Sequence, residues 1–288
     1  ESFRNYDLIN IDKREVLDKA RTEQTIEIQA YGRDFEFVLT PNNLLADGYR
    51  AVETTMAGDR ELVPAEIITY KGKLRSDPDS EVRFTVTEKT VEGLIYTGDD
   101  EKFFVMQARR FSDHARSGDT VVYQEGDLLQ TVDLDSDIKT LPAEVEGLTD
   151  FIPNFTPPTA EGATAAQVRV IEIATEADFQ WVSQTGGATA ANNEILSILN
   201  LIDGIYRRDL NLSVVVTYQH AWSTADPFAS GSTSALLDSF LGYWNTNYPR
   251  AQYPRDTAHL FSGKFSNQGI AYQGVICRSP NYAYGLTG

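Results

Sequence analysis

The sequence predicts a protein of the α+β or α/β class, with a β-rich first half and a second half in which strands and helices alternate. Residues 22–110 alternate apolar and polar side chains, which is typical of an antiparallel sheet with one buried face. After residue 167 the order strand, helix, strand, helix, strand favours right-handed crossovers and a mostly parallel sheet. The predicted domains are therefore residues 1–126 and 167–288, joined by residues 127–166.

The strands of the first half are predicted from alternating apolar residues between turn residues. Thr25–Gly32 (TIEIQAYG) and Asp34–Thr40 (DFEFVLT) flank Gly32–Arg33, which is the signal of a tight hairpin. The rest of residues 22–110 continues this pattern and is predicted as a meandering antiparallel sheet. The segment Asp7–Arg21 is predicted to form a short helix before this sheet.

Residues 127–166 combine acidic and small residues with four of the eleven prolines of the chain. This composition is typical of a linker rather than of a packed domain. We therefore expect an exposed connection that proteases reach easily.

The second half is predicted to contain two amphipathic helices between three apolar strands. Apolar residues recur at helical spacing within Asn192–Arg208, and Asn192 or Asn193 is the predicted N-cap. The second predicted helix is Ser232–Tyr248. The three predicted strands are Val168–Ala174, Leu210–Gln219 and Asp256–Gly263.

Charge and composition limit the classes of partner. The formal net charge is −17, from 42 acidic and 25 basic residues, so a nucleic-acid backbone would be repelled. No apolar run reaches roughly 18 residues, so no membrane span is expected. One cysteine in 288 residues excludes an internal disulfide. Since the chain begins with Glu1, we expect either a secreted protein without its leader or a fragment.

The residues alone form no complete catalytic constellation. His114, His220 and His259 do not occur at a spacing by which one helix or hairpin holds a metal. His259 lies in a predicted strand and is interpreted as a packed side chain. Cys277 is interpreted as structural or paired rather than nucleophilic, since no histidine signature accompanies it. Neither a G-x-S-x-G elbow nor a P-loop is present.

Three segments of the second half carry a resemblance to a known family. They are IYRRDLNLSVVV (Ile205–Val216), DTAHLFSGK (Asp256–Lys264) and GIAYQGVICRSPNYAYGLTG (Gly269–Gly288). In this order they resemble metzincin zinc endopeptidases of the reprolysin (adamalysin) type. The resemblance covers roughly residues 20–125 and 165–288. It implies a β-rich pro-domain followed by the first part of a metzincin-like catalytic domain, whose sheet ends in an antiparallel edge strand.

The resemblance implies a peptide-binding strand at Gly269, Ile270, Ala271 and Tyr272. The family pattern G-x-A-[YF]-x-G-x-x-C matches this segment through Cys277. An unpaired strand edge can add a peptide as a further strand, and small residues allow close approach. The alternative is a bulged edge strand that binds nothing.

The resemblance also implies two metals. Family members bind Zn²⁺ through an H-E-x-x-H-x-x-G-x-x-H helix, which we expect beyond residue 288, so these 288 residues are predicted to be inactive alone. Glu172 and Asp256 match positions that hold a structural Ca²⁺ in animal relatives. Two carboxylates alone do not fill a site that requires six to eight oxygens.

The predicted function is that of a secreted zinc-dependent metalloendopeptidase proenzyme, or zymogen. Its partners would be a protein or peptide substrate and, in cis, the pro-domain in contact with the catalytic domain. Residues 1–276 contain no cysteine, so latency would use a carboxylate, a backbone group or steric cover. Cys277 matches a family cysteine that pairs farther downstream, and we expect it to be unpaired.

Two alternatives remain at this point. The first is a non-catalytic protein that binds peptides or inhibits a protease and has a metzincin-like half-domain. The second is a β-rich surface module joined to an α/β domain of unrelated function.

Overall fold

A computed structural model describes residues 2–63, 66, 68–116, 118–129, 135–141, 168–276 and 278–288, with the backbone alone at 135–137. The first ten strands are β1 (Asp7–Asn10), β2 (Thr25–Ala30), β3 (Arg33–Pro41), β4 (Leu45–Thr55), β5 (Gly58–Leu62), β6 (Thr69–Leu74), β7 (Asp77–Val86), β8 (Val91–Tyr96), β9 (Lys102–Gln107) and β10 (Asp119–Gln124). The next six are β11 (Asp135–Lys139), β12 (Arg169–Ala177), β13 (Leu212–Trp222), β14 (Thr257–Phe261), β15 (Gln268–Tyr272) and β16 (Tyr284–Thr287). The α-helices among the described residues are α1 (Lys13–Thr22), α2 (Phe179–Thr185), α3 (Ala188–Leu210) and α4 (Thr233–Asn247).

The described residues fall into two compact units. The first comprises Glu1–Leu44, Ala65–Val132 and Leu196–Arg208, and the second comprises Leu45–Pro64, Asp133–Ile195 and Asp209–Gly288. This grouping differs from the boundaries expected from sequence. Residues 45–64 group with the second half of the chain, and residues 196–208 group with the first.

The first unit contains an antiparallel sheet with the order β1-β10-β9-β8-β7-β6-β3-β2. The predicted hairpin is confirmed, but its turn is centred on Tyr31 and Gly32, which both have positive φ as a tight hairpin requires. The predicted N-terminal helix is only partly right, because Asp7–Asn10 pairs with β10 and the helix starts at Lys13. Asp12 caps it by accepting hydrogen bonds from two backbone N–H groups.

The second unit contains a mixed sheet with the order β11-β15-β16-β14-β12-β13-β4-β5. Its centre is parallel, as predicted, and β15 runs antiparallel to β16. Both predicted helices are present. Ser232 caps α4, which buries its apolar face at Leu236, Leu237, Phe240 and Trp244.

Helix α3 begins four residues earlier than predicted from its asparagines. Gly186 ends α2 in a left-handed conformation, and Gly187 also has positive φ. The helix starts directly after this pair, at Ala188, so Asn192 and Asn193 lie inside it. The predicted cap is therefore wrong, because the two glycines set the boundary.

The second sheet contains two segments that were predicted from the sequence to lie outside it. Residues 22–110 do not form one antiparallel sheet, because β4 and β5 leave it and β4 pairs in parallel with β13. Within the expected linker, Asp135–Lys139 forms β11, which pairs in parallel with β15. Both segments therefore lie along strands that would otherwise be the edges of the sheet.

Candidate functional site

The predicted peptide-binding residues Gly269–Tyr272 lie in β15, next to the outermost strand of the second sheet. Ile270 and Tyr272 are buried in the core beneath α4, whereas Ala271 is exposed on the other face. The backbone N–H of Gln268 donates to Gly288 O at 3.3 Å, and the N–H of Gly288 donates back at 2.8 Å. Because backbone groups alternate along a strand, those of Gly269 and Ala271 face away from β16.

That outward-facing side of β15 is covered by β11. Their register aligns Asp135 with Gln268 and Lys139 with Tyr272. One residue beyond β15, the N–H of Gln273 donates to Lys139 O at 3.4 Å. The edge expected to receive a peptide thus carries an extended segment of this chain in the described structure.

The end of β11 is held by side chains as well as by the backbone. Lys139 Nζ lies 2.5 Å from Asp238 Oδ1 and 3.0 Å from Ser234 Oγ, both on α4. The same ammonium lies 5.6 Å from the ring centroid of Tyr272. Leu141, two residues farther on, packs against the core of the second unit.

Tyr272 completes this group of side chains from β15. Its hydroxyl donates to Asp238 Oδ1 at 3.0 Å, so Asp238 receives both the phenol and the ammonium of Lys139. Burial of Tyr272, together with the nearby Asp238 carboxylate, raises the pKa of the phenol well above its ordinary value. The phenol therefore remains a hydrogen-bond donor at neutral pH.

The residues expected to hold calcium, Glu172 and Asp256, are brought together by hydrogen bonds of the Glu172 backbone. The N–H of Glu172 donates to Asp256 Oδ2 at 2.9 Å, and the N–H of Asp256 donates to Glu172 O at 2.8 Å. In the described part of the chain, no group of three or more His, Cys, Asp or Glu side chains is placed to hold a metal ion. These two carboxylates do not make a calcium site by themselves.

The histidines are likewise dispersed rather than convergent. His259 Nε2 lies 2.8 Å from Thr287 Oγ1 on β16, and burial lowers the pKa of its imidazole to about 4. This agrees with the interpretation of His259 as a packed side chain. His220 belongs to a separate buried cluster, and His114 lies in the first unit. Cys277 lies outside the described residues.

Sequence reasoning missed a buried polar cluster around Glu176, which is fully buried on β12. Its carboxyl group accepts from the indole N–H of Trp222 and, at 2.7 Å, from that of Trp244. His220 Nδ1 lies 2.6 Å from the same carboxyl group. The available signal was an acidic residue at an inward-facing position of an apolar strand, which requires partners when buried.

This cluster extends to β4, which lies between β13 and the terminal strand β5. Thr54 Oγ1 lies 2.8 Å from His220 Nε2. Next to it, Glu53 accepts from Arg60 Nε at 2.5 Å and from the hydroxyl of Ser223. Burial alone would raise the pKa of Glu53, but the hydrogen bonds from Ser223 and Arg60 lower it below its ordinary value.

Part of the second half of the chain is similar to a known protein family. Residues 169–287 match the Reprolysin (M12B) family zinc metalloprotease model. Disintegrin and metalloproteinase domain-containing protein 11 of Homo sapiens and that of Mus musculus are each 27% identical over 117 residues. The matched part is 39% of this chain and only 15% of the length of these relatives.

The crystal structure of metalloproteinase-II from Bacteroides fragilis aligns with a TM-score of 0.41 at 11% identity, covering 94% of this chain and 78% of that chain. None of the helices in the described ranges has both the length and the apolar character needed to cross a membrane. Residues 169–287 of this chain are therefore similar in sequence to reprolysin-type metalloproteases.

Proposed function

We propose that the chain is part of a secreted, zinc-dependent metalloendopeptidase proenzyme in which β15 aligns an extended peptide substrate. The observation that carries this proposal is the pairing of β11 with β15. It supports the proposal because the outward-facing backbone groups of this strand accept an extended segment.

The local sequence of β15 suits this role. Gly269 has no side chain, and the methyl group of Ala271 lies on the exposed face, so an approaching backbone meets little obstruction. The buried side chains of Ile270 and Tyr272 fix the strand to the core. A rigid strand with accessible N–H and C=O groups binds a peptide by adding one strand to the sheet.

Zinc would supply a Lewis acid and an activated water to peptide hydrolysis. The described side chains do not fit this ion, because their imidazoles and carboxyl groups do not converge in threes. No step of hydrolysis is therefore assigned to these residues. Their part in the proposed activity is to bind the peptide and to orient it.

The first unit is proposed to act as a pro-domain in contact with the catalytic region. Residues 196–208 of α3 belong both to this unit and to the segment that matches the protease family. Asp203 forms a buried ion pair with Arg83 of β7 at 3.1 Å. Asn200 Nδ2 donates to Phe84 O at 3.0 Å. Paired buried groups of this kind support a specific contact, since breaking one partner costs about 3–5 kcal/mol.

The test is binding of a peptide to β15. In a Lys139→Ala background, which weakens the attachment of β11, a fluorescent peptide with the sequence of residues 135–141 is titrated by anisotropy. Ala271→Pro removes an N–H that faces the peptide, whereas Ala271→Val keeps it and serves as the matched control. We expect Ala271→Pro to weaken binding about tenfold relative to Ala271→Val. Equal affinities would contradict the role of β15.

A further inference from the structure

The side chains around the Lys139 ammonium have a feature that strand pairing does not require. Asp238 and Ser234 lie four residues apart on α4, so they project from the same face of the helix. Tyr272 reaches them from β15 through its hydrogen bond to Asp238. Together they present a carboxylate, a hydroxyl and an aromatic ring to one ammonium.

These three residues belong to a different segment of the sequence from their present occupant, Lys139. All three lie between residues 234 and 272, within the segment that matches the protease family, whereas Lys139 lies outside it. Asp238 also accepts a hydrogen bond from the Tyr272 hydroxyl, which orients its carboxylate. A carboxylate held in this way lowers the entropy lost when a cationic side chain binds.

The occupant that this chemistry fits is an organic cation. An ammonium or guanidinium can donate to Asp238 and Ser234 and lie against the ring of Tyr272, as cation–π contacts require. One carboxylate supplies too few oxygens for Ca²⁺, and an anion would be repelled by Asp238. The side chain of Asp238 is 55% exposed, so a ligand can approach it from solvent.

We propose that Asp238, Ser234 and Tyr272 form a subsite that selects a lysine or arginine side chain in an extended peptide paired with β15. This inference rests on the proposed function of β15. The register defines the position, because the selected side chain occupies the place of Lys139, opposite Tyr272. In the chain as it stands, Lys139 fills this subsite itself.

The experiment compares two peptides in the Lys139→Ala background. One has the sequence of residues 135–141 and the other has alanine at the position of Lys139. We expect the lysine peptide to bind about tenfold more tightly, as one charge-assisted hydrogen bond with an ion pair provides. Asp238→Asn should abolish this difference without changing the affinity for the alanine peptide. Asp47→Asn, at an exposed position of β4, is the charge-matched control and should preserve the difference.

The outcomes separate this inference from the proposed function. Equal binding of the two peptides would overturn the cation subsite and leave β15 as a peptide-binding edge. Binding of neither peptide would overturn both. If Lys139→Ala fails to fold, hydrogen exchange in the unmodified chain and in Asp238→Asn provides the second measurement. Faster exchange at residues 136–139 in Asp238→Asn supports the subsite, and unchanged exchange contradicts it.

Discussion

The two sides of the second sheet are closed in different ways. Along β13, the eleven-residue strand β4 is joined through a buried network in which Thr54 contacts His220 and Glu53 contacts Ser223. Along β15, the five-residue strand β11 is held by its backbone, by Lys139 and by the packing of Leu141. The β4 side of the sheet is therefore tied to the core by buried contacts and continues to the terminal strand β5, whereas the β15 side ends in a short, partly exposed strand.

This difference indicates which side of the sheet is suited to binding a peptide. Releasing β4 would leave buried polar groups without partners, which is costly in free energy. Releasing β11 would leave backbone groups and Asp238 exposed to water, which can hydrogen-bond to them. Ile138 of β11 is 63% exposed, so its removal from the sheet returns little apolar surface to solvent. An exchangeable strand is what a peptide-binding edge requires.

The strongest test of the buried network that joins β4 to the core of the sheet is Glu176→Ala. The substitution removes a fully buried acceptor and leaves the indole N–H groups of Trp222 and Trp244 without it. We expect a loss of about 4 kcal/mol in unfolding free energy, from unsatisfied donors and the cavity. The three tryptophans of the chain lie in the second unit, so their fluorescence during urea unfolding reports on it.

Glu172→Ala is the matched control for this measurement. Glu172 lies on the same strand as Glu176, but its side chain is exposed. Its replacement should change the unfolding free energy by less than about 0.5 kcal/mol. Equal losses for the two substitutions would show that the cluster around Glu176 does not hold the sheet together.

Hydrogen exchange compares β11 and β4 directly in the unmodified chain. Amides of β11 should exchange about a hundredfold faster than those at residues 51–54 of β4. The reason is that β11 is a terminal strand whose opening breaks few buried contacts, whereas β4 is paired with both β13 and β5 and its opening disrupts the network at Glu53 and Thr54. Mass spectrometry after proteolysis at low pH would measure both segments in one sample. Similar protection of the two strands would show that β11 does not leave the sheet more readily than β4.

Glu53→Gln should lower the unfolding free energy of the second unit in a pH-dependent manner. Because its folded pKa lies below the ordinary value, the ionised carboxylate contributes stability above that value and loses it as the pH falls. Since Arg60 is largely exposed, we expect a loss of only about 1 kcal/mol at pH 7. Urea unfolding at pH 7 and near pH 4 measures this loss, which should be smaller in acid. A loss that is constant with pH would mean that the charge of Glu53 is not involved.

The elements with strong apolar periodicity were predictable from the sequence, and the terminal strand β11 of the second sheet was not. Leu236, Phe240 and Trp244 recur at helical spacing and predicted α4 correctly. By contrast, β11 has one apolar residue among five, Ile138, and that residue faces solvent. It is a strand because β15 offers backbone partners, which no local pattern encodes.

The same limit explains the position of β4 and the composition of the candidate site. The alternation in Leu45–Thr55 predicts a strand but does not distinguish between two sheets as partners. The residues Gly269–Tyr272 were found through the family pattern. Their contacts with Asp238 and Lys139 join positions far apart in the sequence, and only the fold brings these together.

The smallest expected effect is that of metal ions on these 288 residues. If the β15 edge binds through its backbone and a cation subsite, neither Zn²⁺ nor Ca²⁺ should raise the unfolding midpoint, because a ligand stabilises only the state that binds it. His220 is held beside Glu176 and Thr54, and His259 beside Thr287, so these imidazoles are already engaged. Thermal unfolding with each ion and with a chelator measures the effect, and casein cleavage is assayed in parallel. A midpoint raised by several degrees, or cleavage that the chelator abolishes, would show a metal site among these residues and contradict their assignment to peptide binding alone.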